Sequence, residues 1–307
     1  MKIAIIGTGG VGGYFGGKLA KAGFDVTFLA RGEHLKAIQQ NGLMVKSILG
    51  DFKIDDVKST DNISAIGSVD LIILGVKAWQ VKQLGHELRL IIKSNTMVLP
   101  LQNGVMAAEE LCEYINPENI INGLCRIISK IESPGVINHF GFEPIIIFGE
   151  LNNAQTDRIG LIKSIFDKAE INSKISHDIL SDLWKKLIGI CVSGLLAVTK
   201  SSYGELRELK ETRQLMIELL TEIFNLSQKI GIMVDQDIVT KTMMLIDSLP
   251  YESTASLTRD VWEGKPSEIE YQNGAVVKLA EKYGIDVPVN RFVYYSILPM
   301  EKKARLQ

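Results

Sequence analysis

Lys2-Ile3-Ala4-Ile5-Ile6-Gly7-Thr8-Gly9-Gly10-Val11-Gly12 runs a short apolar segment of β character straight into a glycine-rich turn, and an amphipathic stretch over 11–22 follows it. A strand that ends in Gly-x-Gly-x-x-Gly and opens a helix is the setting in which backbone N–H groups and a helix N-terminus receive a pyrophosphate. In that reading Gly7 permits the tight turn, Gly9 lets the phosphates approach, and Gly12 lets helix and strand pack closely, while Thr8, Gly10 and Val11 complete the loop. The glycine pattern alone is weak, because glycine-rich turns are common. Its place after a strand, with a second strand at 25–29, turns it into a prediction of dinucleotide binding.

Outward from this loop, short apolar runs at 2–6, 25–29, 70–76 and 96–99 alternate with helical patterns at 11–22, 34–40, 81–92 and 107–114. That alternation predicts a parallel sheet with helices on its faces, an α/β domain of the Rossmann type. Segments 43–48 and 52–57 flank Gly50-Asp51 and predict a hairpin at the sheet edge. From 120 to 150 the pattern is β-rich, with a Pro134-Gly135 turn, and predicts that the sheet continues in mixed sense. After His177 only helical patterns follow, at 180–198, 212–230, 238–248, 256–262, 268–283 and 289–305. Gly231, Gly264-Lys265-Pro266 and Gly284 supply the breaks. The expected organisation is a cofactor domain over 1–178 and an all-α domain over 179–307.

At 307 residues, 46% hydrophobic and 23% charged, the chain can bury two cores. A formal charge of -2 offers no excess positive field for phosphate backbones, so nucleic acid is not expected as a partner. Lys302, Lys303 and Arg305 read as a solvated helix end. Cys112, Cys125 and Cys191 have no paired spacing and the four histidines are scattered, so neither a disulfide framework nor a metal site is expected. The glycine cluster interrupts the N-terminal apolar run where a signal peptide would continue, and the longest uncharged apolar run, 187–198, is short of the ~20 residues that span a bilayer. The expectation is a cytoplasmic protein with no membrane segment.

An acidic residue closing the second strand would bind a ribose 2′-hydroxyl and favour NAD. Here that strand closes Leu29-Ala30-Arg31-Gly32, and a guanidinium pairs bidentately with a 2′-phosphate, so NADPH is the preferred cofactor. Glu33 nearby is a competing partner for Arg31. FAD also suits such a loop, but the small helical second half argues against it.

Ligands on a doubly wound sheet collect beyond the carboxyl ends of strands. Lys77 and Asn103 stand there, although a solvated lysine and an Asn-Gly turn explain them equally well. In the helix from 180, Leu180, Leu183, Trp184, Leu187, Ile188 and Cys191 form one apolar stripe; Lys186 lies off it and heads a side that is otherwise uncharged as far as Val198. That lysine must snorkel outward or meet a negative partner, and desolvation would suit it to proton donation. Glu268 is a partner of the right sign, or a first-turn carboxylate behind a Ser267 cap.

Taken with Val76-Lys77-Ala78-Trp79-Gln80, Gln102-Asn103-Gly104, Trp184-Lys185-Lys186-Leu187, Tyr203-Gly204-Glu205-Leu206-Arg207, Ser256-Leu257-Thr258-Arg259-Asp260 and Glu268-Ile269-Glu270-Tyr271-Gln272-Asn273-Gly274, the glycine loop makes a set that resembles the ketopantoate reductases over nearly the full length. The resemblance implies a helical second domain like that of 6-phosphogluconate dehydrogenase. It also implies NADPH-dependent reduction of 2-dehydropantoate to (R)-pantoate on the route to pantothenate and coenzyme A. By position it makes Lys186 the general acid and Glu268 its orienting partner, which also binds substrate hydroxyl and borders the cofactor. Asn103 and Ser256 would hold the substrate, Lys77 and Asn103 would stand where cofactor and substrate meet, and Arg31 would bind the 2′-phosphate. One departure stands out: many relatives carry asparagines four and eight residues after the lysine, where this chain has Ile190 and Gly194. Fewer polar partners mean weaker discrimination, which keeps open another 2-oxo acid, or an imine, as substrate. A nicotinamide-binding sensor without catalysis is the non-enzymatic alternative. A homodimer is compatible with the apolar helices, since spacing does not separate an interface helix from a core helix.

Overall fold

The computed structural model describes residues Met1–Leu306. Clustering of contacts divides them into two compact units. Unit one holds Met1–Gln102 and Ala107–Ile179; unit two holds Asn103–Met106 and the residues from Leu180 on.

In unit one, β1 (Lys2–Ile6), β2 (Asp25–Leu29), β5 (Lys58–Thr60), β6 (Leu71–Leu74) and β7 (Met97–Pro100) form an all-parallel sheet in the order β5-β2-β1-β6-β7. β1 leads into α1 (Gly10–Lys21) and β2 into α2 (Gly32–Asn41). β6 and β7 are buried over their whole length, as expected of central parallel strands covered on both faces. One apolar cluster lies around Phe15, Phe28 and Phe166, and another around Leu88, Val98 and Leu111.

The remaining β structure departs from the sequence expectation. β3 (Leu43–Ser47) and β4 (Phe52–Ile54) do form an antiparallel hairpin. However, β3 pairs with β9 (Val136–Glu150), which also carries β8 (Ile121–Ser133) and β10 (Ser173–Ile175), giving a second sheet in the order β10-β9-β3-β4 with β8 on β9. The hairpin is therefore not the edge of the first sheet, and 120–150 touches that sheet through a single parallel bridge, Ile120 on Val98 of β7, before β8 and β9 run into the second sheet. The parallel register of Met44 on Val136 and Val45 on Ile137 buries the Val45 and Ile137 side chains together, a long-range match that local periodicity does not encode.

Unit two is helical: α6 (Ile179–Ile190, from its second residue), α7 (Val192–Thr199), α8 (Tyr203–Glu208), α9 (Lys210–Lys229), α10 (Ile238–Ser248), α11 (Ser256–Trp262), α12 (Asn273–Tyr283) and α13 (Pro288–Ala304). Unit one also contains α3 (Val81–Leu88), α4 (Ala107–Cys112) and α5 (Asp157–Lys168). The predicted apolar stripe packs as expected from Leu183 to Cys191, whereas Leu180 is exposed. Two predicted helices are interrupted. The helix expected over 180–198 breaks at Cys191, and that expected over 268–283 begins only at Asn273, after a 3₁₀ turn at Ile269–Tyr271. Among the described residues no helix is long and apolar enough to cross a membrane.

Glu150 closes β9 as a buried carboxylate, accepting hydrogen bonds from Thr156 Oγ1 and from Arg158 Nε at 2.7 Å. Burial pushes its carboxyl up, but the bonds from Arg158 and Thr156 outweigh this and hold it below the ordinary 4.5. A carboxyl depressed on folding contributes stability that is complete above its unfolded value and is lost as the pH falls through its folded value. Glu150→Gln is expected to cost roughly 1–3 kcal/mol in urea melts at pH 7. The gap to the parent protein should close as the pH drops below 4.5.

Candidate active site

The glycine loop lies in unit one. Gly7 has φ +96°, a conformation that side chains rarely adopt, and a Cβ at Gly12 would collide with the Gly7 carbonyl oxygen. A Cβ at Gly10 would strike the Ser129 carbonyl of β8. Gly9 differs: its φ is -81°, and a Cβ there would meet nothing within 4 Å. Open space lies beside the N-cap of α1, which has no side-chain cap and no acidic residue in its first turn. Uncapped amides, an accessible glycine and no carboxylate to repel charge together fit a pyrophosphate. Val11 packs partly buried against the core. Thr8 is buried, and both its N–H (3.1 Å) and its hydroxyl (2.9 Å) donate to the Leu29 carbonyl, so it fastens the loop to the end of β2 and has no donor left for a ligand.

Two residues on, Arg31 caps the start of α2 with extended backbone and an exposed side chain. The competing acid is occupied elsewhere, since Glu33 pairs with Lys36 at 2.7 Å. Lys77 follows β6 half-buried, its Nζ 5.7 Å from the centre of the Trp79 ring, and its N–H donates to Gln80 Oε1 at 3.2 Å. Gln102, whose role its sequence neighbourhood does not reveal, ties the ends of β6 and β7: its Nε2 donates to the carbonyls of Leu74 (2.9 Å) and Val76 (3.0 Å).

Unit two holds the other predicted residues. Asn103 Nδ2 donates to Glu268 Oε2 at 2.7 Å across 165 positions of sequence. Gly104 explains how the segment reaches that carboxylate. It has φ +94°, and a Cβ there would lie 2.5 Å from the Tyr271 carbonyl oxygen, so only glycine brings this backbone against the turn that follows Glu268. Glu268 is 6% exposed and its side chain caps no helix, which sets aside the capping alternative. The Ser267 hydroxyl instead takes the Ile269 N–H at 3.4 Å while donating to Glu301. Lys186, on α6, is 9% exposed. Its stem is therefore buried along α6. Ser256 is exposed at the first position of α11 and bonds to neither Asn103 nor Glu268.

The two departures along the lysine helix separate in the structure. Ile190 is half-buried one turn beyond Lys186. Gly194 is buried, and a Cβ there would lie 2.5 Å from Asn273 Oδ1 and 2.6 Å from Val293 Cγ1. A side chain at 194 would thus point into packed protein, and glycine at this position is a packing requirement of this chain.

A nucleotide-type glycine loop on a parallel sheet, with a helical unit holding a buried lysine and an amide-bound carboxylate, defines a dinucleotide-dependent oxidoreductase. The family model described as "Ketopantoate reductase PanE/ApbA" matches residues 3–153, and its C-terminal companion matches 178–301. A 2-dehydropantoate 2-reductase of Nostoc is 32% identical, covering 99% of this chain and 96% of the relative. Among solved structures, a PanE/ApbA family ketopantoate reductase from Ralstonia eutropha superposes with a TM-score of 0.92 at 28% identity, covering 99% of this chain and 100% of that one. A 2-dehydropantoate 2-reductase from Geobacter metallireducens superposes with a TM-score of 0.91 at 29% identity, over 97% and 99% of the two chains. The chain belongs to the ketopantoate reductase family.

Because Gly9 has ordinary backbone angles and open space, Gly9→Ala is expected to leave the melting temperature unchanged while its methyl group occupies the approach of the phosphates. Fluorescence titration with NADPH should show at least a ~10-fold loss of affinity, about 1.4 kcal/mol. Equal affinity in the two proteins would remove the loop from the cofactor site.

Proposed function

We propose that this protein reduces 2-dehydropantoate to (R)-pantoate with NADPH. The observation that carries the reading is the Asn103–Glu268 hydrogen bond. It gives a buried carboxylate a fixed amide donor and occurs in the same unit as the buried Lys186. Family membership and the likeness to named 2-dehydropantoate 2-reductases support it.

NADPH, when bound, supplies the hydride that reduces the keto carbon. The loop from Gly7 to Gly12 holds the pyrophosphate on the amides of α1, with Thr8 locking the loop to β2. Arg31, its nearest acid already paired, binds the adenosine 2′-phosphate. Lys186 donates the proton that the developing alkoxide takes up, so that keto acid and reductant give hydroxy acid and oxidised cofactor with one proton consumed. Glu268 accepts the substrate hydroxyl and balances the ammonium charge, Asn103 fixes that carboxylate, and Ser256 and Lys77 complete contacts to substrate and cofactor.

Ile190 favours a second reading, reduction of a related 2-oxo acid, since an aliphatic side chain one turn from the proton donor gives a substrate hydroxyl nothing to bond. NADPH oxidation measured across a panel of 2-oxo acids separates the two, with the highest kcat/KM expected for 2-dehydropantoate. Preference for another acid overturns the substrate, and tight NADPH binding without any turnover makes the protein a sensor. Lys186→Ala is expected to lower kcat at least ~10²-fold with NADPH affinity kept. Arg31→Ala should weaken NADPH binding roughly 10- to 100-fold while leaving NADH unaffected, the loss of one or two charge-assisted hydrogen bonds.

A further inference from the structure

The helical unit contains a set of buried polar side chains that the chemistry above does not use. They gather where α6 gives way to α7. At that break the Cys191 carbonyl accepts the Gly194 N–H at 3.2 Å and, from another helix, Asn273 Nδ2 at 3.2 Å. Two residues on, Ser193 Oγ donates to Gln272 Oε1 at 3.0 Å, and the Ser193 carbonyl accepts from Thr258 Oγ1 at 2.8 Å. Asn273 Nδ2 also donates to Asn290 Oδ1 at 3.0 Å, and Asn290 Nδ2 donates to the Leu219 carbonyl at 3.1 Å and to Glu222 Oε2 at 2.8 Å. Ser193, Thr258, Gln272, Asn273 and Asn290 are all buried.

Polar groups cost free energy to bury, and well-packed apolar side chains would stabilise such a site as well or better. What the polar set adds is direction, since each bond holds only at one distance and angle. Its cost is visible at Asn273, whose Oδ1 is buried with no hydrogen-bond partner, beside the glycine that makes room for it. The directions imposed connect the two reactive positions. Gln272 and Asn273 hold the α6–α7 break five to seven residues beyond Lys186. Gln272 N–H donates back to the carbonyls of Glu268 (3.1 Å) and Ile269 (3.3 Å), so the same residue is fastened to the turn that carries the carboxylate.

We propose that Gln272 and Asn273 are positioning residues, a clip that joins the break after the Lys186 helix to the Glu268 turn and keeps ammonium and carboxylate in one fixed relation. The proposal rests on the reading of Lys186 as proton donor. Ångström-scale misplacement of a catalytic group costs up to ~10²-fold in rate, and the loss falls on turnover more than on binding.

Because Asn273→Ala removes the donor to Asn290 Oδ1 and one of the two donors to the Cys191 carbonyl and endangers folding, the milder pair Ser193→Ala and Gln272→Met carries the test. Each single variant is expected to lower kcat roughly 10- to 100-fold, with KM for the keto acid and the affinity for NADPH within about twofold. The double variant should be no slower than the slower single, since both changes break the same bond. Variants that melt earlier but turn over at the parent rate would overturn the clip, as would losses that multiply in the double variant. Lys186→Ala, assayed alongside, separates the failures. If it stays active, the proton-donor reading falls; if it is inactive while Ser193→Ala and Gln272→Met keep the parent kcat, only the clip falls.

Discussion

A carboxylate taken out of water must be met by a donor or give up its charge, and the site of this protein is arranged around meeting that demand at Glu268. One donor is the Asn103 amide, 2.7 Å away. Asn103 reaches it because the next residue is a glycine with φ +94° whose missing side chain lets the backbone lie against the Tyr271 carbonyl. A single contact thus sets local backbone conformation, the identity of residue 104 and the direction of the acid together. Lys186 is buried in the same unit, so the helical part of the chain contains an amide-bound carboxylate and a buried lysine.

The cofactor half answers a different constraint, the close approach of backbone to phosphate. Gly12 exists because Gly7 lies against it, and Gly10 because β8 passes over the start of α1. Of the four loop glycines at 7, 9, 10 and 12, only Gly9 faces open space, where the other absent side chains leave room for protein. Thr8 joins this loop to the end of β2, close in sequence to Arg31, so the positions proposed for the pyrophosphate and for the 2′-phosphate are fastened by one buried side chain. The division of labour among neighbouring residues is chemical: glycines for proximity, a threonine for anchorage and an arginine for charge.

Local pattern carried much of this. The four central parallel strands β2, β1, β6 and β7 and the helical second half follow from periodicities and punctuation that a short window contains, whereas the short edge strand β5 does not. The second sheet was out of reach, because Leu43–Ser47 finds its partner some ninety residues later in β9 and nothing local specifies that match. The breaks at Cys191 and Gln272 were hidden for a related reason. The apolar run from Leu187 to Val198 is as good a helix pattern as any, and it is interrupted by an amide arriving from α12. Gly194 shows how a position invites misreading. In sequence it resembles a lost substrate contact, whereas in space it is the gap into which Asn273 fits. Asn103 was legible as a residue at a strand end, but its partner was not, since 165 positions separate them.

The four residues Asn103–Met106 group with the helical unit although the chain on both sides of them belongs to the other. The helical part is therefore not a contiguous stretch of polypeptide, and no single cut in the gene isolates it whole. A fragment beginning at residue 180 would keep Lys186 and Glu268 yet leave the acid without its amide and Val105 absent from the apolar cluster it packs against. The two units are modules in space only. During synthesis the piece that completes the later module is made more than seventy residues before the rest of it.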